Sequence, residues 1–349
     1  MFERYRLGYQ LLLVIAAIEF AVAFTLGRMP VHLYFSAGGF INKMLPAWVI
    51  LPLIWAGFLA VELARRKVDR PFNAIRRVLY RQRHWLGRGF LFILIVLFLA
   101  RSFSSYKSAI PQYVPFYADP WLAQFDHALF GTDPWRLTHA LIGPYGTMLI
   151  DRAYALWFVI MMLYLGWFCF SRNQALQLRG LLTYALNWFL LGNLISLSLS
   201  SVGPCFYENF YHDPRFAPLM ANLTLADEEH GLLAFGAMEY LLGSYGQDRF
   251  AAGISAMPSL HVSMAFLCFL VAWEYGRHWW AKLAGFAFFV TILIGSVHLG
   301  WHYAADGIVS VIVTGLVWWG TGRFTLWLEK REAAQAVSAS QPLAVPAPA

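Results

Sequence analysis

Eight stretches of this chain are each long and apolar enough to cross a lipid bilayer, and this feature limits the possible folds most strongly. A membrane-spanning helix needs roughly 20 mostly apolar residues. The composition agrees, because only 13% of the residues are charged, whereas an ordinary soluble domain has about 25%. We therefore predict an all-α, polytopic membrane protein with eight transmembrane helices. The predicted spans are residues 7–27, 45–64, 88–106, 147–170, 177–200, 259–276, 280–300 and 303–325.

The charged residues predict how these helices are oriented. Nine of the 26 Lys and Arg residues lie between Arg65 and Arg88, in one connection between two spans. Positive residues concentrate in cytoplasmic loops, so this connection and, by alternation, both termini are expected in the cytoplasm. The two long loops left outside, 107–146 and 201–257, hold four Lys or Arg against ten Asp or Glu. The net charge of +7 therefore indicates membrane topology, and we expect no nucleic-acid partner.

The chain divides into three parts. Residues 1–87 hold two transmembrane helices and the basic loop, and residues 88–328 hold six helices and the two outer loops. Residues 329–349 form a tail with too few apolar groups to fold, which we predict to be disordered. In the first outer loop, near-helical spacing of apolar residues predicts an amphipathic helix on the membrane surface. A cleaved signal peptide is an alternative for the N-terminus, but Glu19 interrupts its apolar run.

The run AMPSLHV, residues 256–262, contains the first candidate site residues. We expect Pro258 to open the sixth span, with Ser259, Leu260 and His261 in its first turn. A helix start has unpaired backbone amides and a partial positive charge, so it binds anions. A phosphate group is therefore the predicted ligand, and His261 is placed to act as a general acid.

The run GSVHLGWHYAAD, residues 295–306, contains the candidate nucleophile. His302 and Asp306 are four residues apart and are expected to share one helix face. A carboxylate that accepts the Nδ1 proton of His302 would leave Nε2 free to attack phosphorus. His298 is interpreted either as structural or as an accessory substrate contact. These three side chains are also suitable zinc ligands, but the anion-binding helix start favours phosphate, so we predict no metal and no cofactor.

These two runs resemble signatures of the type 2 phosphatidic acid phosphatase superfamily, namely Pro-Ser-Gly-His and Ser-Arg followed by His and Asp. Within that superfamily the chain is most similar to the inositol phosphorylceramide synthase branch. That branch has Pro-Ser-Leu-His and a His-Tyr pair before the Asp, as in residues 258–261 and in His302, Tyr303 and Asp306. The resemblance covers roughly residues 101–310 and implies a six-helix catalytic core that forms a phosphohistidine.

The chain departs from the superfamily at its cationic positions. A first signature, Lys followed by Arg-Pro, is reduced to Lys107 with Val114 and Pro115. In the last signature, Gly295 and Ser296 stand in place of Ser and Arg. Two phosphate-binding arginines are therefore missing. The residues expected to hold the phosphate are Lys107, Ser259, Leu260, Arg152 and Arg249.

The resemblance implies an enzyme that moves a phosphate-bearing head group from a phospholipid donor to a lipid or alcohol acceptor. The missing arginines favour a phosphodiester donor, which has one negative charge, over a monoester. The alternatives are a lipid phosphate phosphatase that uses water and a non-enzymatic lipid-binding or transport protein. We expect a multi-pass protein of a bacterial inner membrane, with its site facing the periplasm and the aromatic-rich loop 201–257 as a lid.

Overall fold

The computed structural model describes residues 5–27, 40–247 and 253–340, apart from the side chains of 40–52 and 336–340, and these ranges contain helices and no strands. A π-helix (Trp188–Ile195) continues α7, and two 3₁₀ turns (Pro204–Phe206 and Pro214–Phe216) lie in the second outer loop. The α-helices are α1 (Arg6–Thr25), α2 (Phe40–Arg65), α3 (Pro71–Tyr113), α4 (Asp119–Phe130), α5 (Pro134–Leu141), α6 (Pro144–Cys169), α7 (Gln174–Asn187), α8 (Ser196–Ser198), α9 (Tyr207–Tyr211), α10 (Ala217–His230), α11 (Leu233–Gly243), α12 (Leu260–Tyr275), α13 (Trp279–His298) and α14 (Ala304–Ser340).

Within these ranges, six helices are long and apolar enough to cross a membrane. They are α1, α3, α6, the continuous segment from α7 through α8, α13 and α14. The predicted spans 45–64 and 259–276 correspond to α2 and α12. Part of α2 has no described side chains, and α12 has 16 residues, fewer than a full span. The chain therefore has the helices of an integral membrane protein, and the number eight remains a prediction.

The central packing unit is formed by α12, which contacts α6, α13 and α14, while α3 packs against α6 and the π-helix. The contact between α12 and α13 is close because Gly285 has no side chain. A Cβ at this position would lie 2.8 Å from the Cβ of Ala272. Val262 of α12 and Ile292 of α13 are fully buried in the same apolar core, which fixes the end of α12 where the first predicted signature lies.

The π-helix widens the helical segment that follows α7. Such segments are uncommon and occur frequently at functional sites. Here Trp188, Leu191 and Gly192 line a cavity between this segment, α3 and α6. Gly192 allows close contact with α3, because a Cβ there would lie 2.5 Å from the ring of Phe103.

The amphipathic helix predicted in the first outer loop is α4. Its outer face exposes Trp121, Phe125 and Leu129, whereas Asp119 and Asp126 on the opposite face are buried. This arrangement suits a helix at a membrane surface. At the other end of the chain, α14 continues to Ser340, into the segment for which disorder is predicted.

Candidate active site

A cavity of about 490 Å³ lies between α3, α6, the π-helix and the start of α12. Its volume falls in the usual range for ligand pockets, about 300–1,000 Å³. One end is polar and contains Lys107, His261 and His302, and the walls continue along apolar residues as far as Val96. Between Lys107 and Val96, α3 rises about 16 Å at 1.5 Å per residue. The cavity therefore joins a polar end to a long apolar compartment.

The imidazole of His302 is held by Asp306 at the polar end. The distance from Nδ1 to Asp306 Oδ2 is 3.1 Å, and the same oxygen accepts the amide of Tyr303 at 3.2 Å. The expected shared helix face is wrong, because α14 begins at Ala304 and His302 lies in the preceding loop. The pair forms across the helix start instead, and a bond from the His302 amide to the Ser296 carbonyl at 3.0 Å fixes the loop.

The protonation of His302 suits a nucleophile. Burial lowers its pKa well below the usual value, and the charge of Lys107 lowers it further, while the nearby Ala256 backbone opposes the shift. The ring is therefore neutral at neutral pH. Since Asp306 engages Nδ1, the second nitrogen, Nε2, carries the lone pair that can attack.

His261 faces His302 across the polar end, with ring centroids 6.1 Å apart. Two aromatic residues of α6 hold it. Tyr154 stacks on the His261 ring at 4.9 Å, and Trp157 lies 4.2 Å from it. The indole N–H of Trp157 also donates to the His261 carbonyl at 3.0 Å. These contacts fix the His261 ring at the polar end of the cavity, near the candidate nucleophile.

The start of α12 differs from the sequence prediction. The helix begins at Leu260, two residues after Pro258, and Ser259 is its N-cap. The Ser259 hydroxyl accepts the amide of Val262 at 3.3 Å and is fully buried, so it is directed to the helix backbone. Ser259 does not line the cavity, whereas Leu260 and His261 do. The amides of these two residues have no acceptor within the helix and remain available to an anion.

Lys107 contributes an unpaired positive charge. Its ammonium forms no hydrogen bond or ion pair with any residue in the described ranges, and its side chain lines the cavity. The segment before α12 crosses directly over it. A Cβ at Gly253 would lie 2.7 Å from the Lys107 carbonyl carbon and 2.8 Å from its Cγ, so only glycine fits.

Of the two arginines predicted as phosphate ligands, the structure describes Arg152, which does not line the cavity. Arg152 donates to Asp151 at 3.0 Å and to the carbonyl of Gly231 at 2.7 Å, so it points to the turn before α11. This arrangement does not support phosphate binding by Arg152. Arg249 lies outside the described residues. No arginine lines the cavity in the described part of the chain.

Two aspartates that sequence reasoning missed hold the site from α4. Asp126 accepts the amides of Ala304 and Ala305 at 2.6 and 2.9 Å, and Asp119 accepts the Tyr303 hydroxyl at 3.0 Å. Burial raises the pKa of Asp126 to about 6, and the two backbone bonds oppose this rise. The only signal in the sequence is the spacing of seven residues, which places both carboxylates on one helix face. Together they fix the residues between His302 and Asp306.

His298 is a structural residue in this arrangement. It is fully buried, and its Nε2 and Nδ1 lie 2.9 Å from the hydroxyls of Thr147 and Thr138. It also stacks on His139, with centroids 3.9 Å apart. Both ring nitrogens are thus occupied away from the cavity. In the described ranges, no group of three or more His, Cys, Asp or Glu side chains is placed to hold a metal ion.

Comparison with known proteins gives one match. A family model described as PAP2 superfamily matches residues 120–320, which is more than half of the chain. The matched region includes residues 258–261 and 302–306 but not Lys107. No curated protein and no solved structure matches the chain significantly.

Proposed function

The chain belongs to the PAP2 superfamily, and we propose from its site that it is a membrane phosphotransferase. Membership indicates phosphatase or phosphotransferase chemistry on lipid phosphates. In our proposal, a phosphate-bearing head group passes from a phospholipid donor to a lipid or alcohol acceptor through a phosphohistidine at His302. The observation that carries this proposal is the His302–Asp306 pair, which faces His261 in a cavity that also contains the unpaired Lys107.

The mechanism follows from the positions of these side chains. Nε2 of His302 attacks phosphorus, the bond to the leaving oxygen breaks, and His261 protonates that oxygen. Asp306 stabilises the positive charge that develops on the His302 ring. In the second half, His261 takes the proton of the acceptor hydroxyl as its oxygen attacks phosphorus, and the N–P bond breaks. Lys107 and the first amides of α12 stabilise the phosphoryl oxygens throughout.

The charge of the cavity supports a transferase that uses a phosphodiester. A terminal monoester is a dianion and needs several cations, whereas a diester has one negative charge. Lys107 is the one cation that lines the cavity in the described ranges. The positive helix start supplies the remaining stabilisation without adding a full charge.

The apolar compartment supports a lipid substrate and a dry reaction. Its walls include Leu97, Met161 and Trp188, which offer no hydrogen bonds to a water-soluble head group along most of their surface. Low water content protects a phosphohistidine from hydrolysis, which a transferase requires and a phosphatase does not.

The membrane arrangement is part of the proposal. We propose eight spans, with α2 and α12 added to the six long helices, a core at residues 88–328 and both termini in the cytoplasm. The basic connection between Arg65 and Arg88 supports this orientation. The site then faces the periplasm of a bacterial inner membrane. The Pro-Ser-Leu-His run supports the branch that resembles inositol phosphorylceramide synthases.

The decisive experiment supplies purified protein in bilayers with labelled phosphatidylinositol, other phospholipids and monoester lipids, with and without a lipid alcohol. A new phosphorylated lipid that forms only with the acceptor is the expected result. Rapid release of phosphate from monoesters, independent of acceptor and without a lipid product, would instead identify a lipid phosphate phosphatase. Binding without any turnover would favour the lipid-binding alternative.

A further inference from the structure

Tyr154 has a buried hydroxyl that the mechanism above does not use. It lies on α6, lines the cavity with Lys107, His261 and His302, and is almost completely buried. Its hydroxyl oxygen has no hydrogen-bond partner among the residues that the structure describes. An unsatisfied buried hydroxyl is costly, so a ligand in the cavity is the natural partner.

The ring of Tyr154 is held on both sides. One face stacks on the His261 ring at 4.9 Å with an interplanar angle of 24°. On α13, Gly295 leaves room for the ring, because a Cβ there would lie 3.1 Å from Tyr154 Cδ2. The neighbouring Ser296 hydroxyl donates to the Leu293 carbonyl at 2.8 Å and is fully buried. Gly295, one of the two positions that distinguish this chain from the superfamily signature, thus accommodates the tyrosine.

The other side chains at the polar end already have partners or roles. His302 attacks, His261 transfers the proton, and the Trp157 N–H is bonded to the His261 carbonyl. Tyr154 is therefore an unpartnered neutral donor in the lining that it shares with Lys107. A neutral donor suits a monoanionic diester, because it adds a hydrogen bond without adding charge.

On the basis of the proposed function, we propose that the Tyr154 hydroxyl donates a hydrogen bond to a non-bridging oxygen of the transferred phosphoryl group. During attack, the Nε2 electron pair forms the N–P bond, the P–O bond breaks, and the proton on the leaving oxygen comes from His261. Tyr154 keeps its own proton. Its bond strengthens as negative charge grows on the non-bridging oxygens, and this lowers the barrier.

The test compares Tyr154→Phe with Tyr164→Phe in the purified full chain in bilayers. Tyr164 is on the same helix but outside the cavity lining, so it controls for loss of a tyrosine hydroxyl. Orthovanadate, a phosphate analogue, is the binding probe. We expect Tyr154→Phe to weaken vanadate binding at least about tenfold and to lower kcat about 10²-fold, as for loss of an oxyanion donor. Tyr164→Phe should match the wild type.

A comparison of two leaving groups shows which phosphate oxygen accepts the hydrogen bond from Tyr154. The loss in Tyr154→Phe should be equal for a lipid and for a p-nitrophenyl ester, since a non-bridging oxygen is present in both. A loss confined to the lipid would place the hydroxyl at the leaving oxygen and overturn the proposal. Vanadate binding within twofold of the wild type would also overturn it.

Three further outcomes are decisive. If the wild type binds vanadate but processes no lipid, the proposed function fails. The difference in vanadate binding between Tyr154→Phe and the wild type then still tests whether the Tyr154 hydroxyl contacts the anion. If the wild type neither binds vanadate nor forms the lipid product, both proposals fail. If it forms the product without binding vanadate, the proposed function stands and the comparison of kcat decides the role of Tyr154. Should Tyr154→Phe prove unstable, Tyr154→Leu removes the hydroxyl instead, and unchanged vanadate binding in that variant would overturn the role of Tyr154.

Discussion

Replacement of Asp306 by asparagine tests how His302 is activated. The variant keeps the size of the side chain and an oxygen that can accept the Nδ1 proton. It lacks the negative charge. When Nε2 bonds to phosphorus, the ring becomes positively charged, because Nδ1 keeps its proton. The carboxylate stabilises that charge, and the amide does not.

The structure allows the size of this effect to be worked out. Two opposite unit charges separated by 3.1 Å, the distance from His302 Nδ1 to Asp306 Oδ2, attract by about 5 kcal/mol at an effective dielectric constant of about 20. The ring carries only part of its final charge in the transition state. The expected loss is therefore about 3–5 kcal/mol, or about 10²–10⁴-fold in the rate of phosphoenzyme formation.

Rapid-quench measurement of the labelled phosphoenzyme, in bilayers and with saturating donor lipid, gives this rate directly. Ser310→Ala is the matched control, because the Ser310 hydroxyl lies one turn along α14 and donates to the main-chain carbonyl of Asp306 at 2.7 Å. That variant leaves the carboxylate intact and should stay within about threefold of the wild type. A rate for Asp306→Asn within tenfold of the wild type, in a folded protein, would refute the charge argument.

Four other outcomes are expected. His302→Ala should abolish turnover and the covalent phosphoenzyme, and a labelled phosphoenzyme in this variant would exclude His302 as the nucleophile. His261→Ala should slow the release of a lipid alkoxide, and the rate should recover with a p-nitrophenyl ester, whose leaving group needs no proton. Lys107→Met should lower kcat/KM about 10³-fold, since a charge about 4 Å from the phosphate contributes about 4 kcal/mol at a dielectric constant of about 20, and Lys107→Arg should lower it less. Because His302 has a lowered pKa and is active only when neutral, kcat/KM should persist as pH falls below about 6.5, the pKa of free histidine, and a profile that falls at that pH would contradict this. A cysteine at the exposed Glu228 should react with an impermeant reagent from the periplasmic side, against a background of buried native cysteines, and labelling from the cytoplasm alone would reverse the topology.

The helices could be predicted from the sequence because apolar length is a local property. The predicted span 280–300 corresponds to α13 (Trp279–His298), and 259–276 corresponds to α12 (Leu260–Tyr275). The composition of α12 is apolar, but the helix has 16 residues, fewer than a full membrane span, so its crossing of the membrane stays a prediction.

The site residues could be predicted only where several reactive side chains lie close together in a short stretch of sequence. The pairing of His302 with Asp306 followed from their spacing, although the helix begins between them, so the expected geometry was wrong. Ser259 was interpreted as a phosphate ligand because an N-cap and a ligand hydroxyl look alike in a sequence. Tyr154 and Asp126 meet partners more than 100 residues away, and no local pattern indicates such contacts.

The two faces of α4 have a mechanical consequence. The outward Trp121 and Phe125 would rest among lipid head groups, and the inward Asp126 holds the amides at the start of α14, two and three residues after His302. A short rigid helix transmits displacement from one face to the other. A displacement of α4 would therefore move the residues that follow His302.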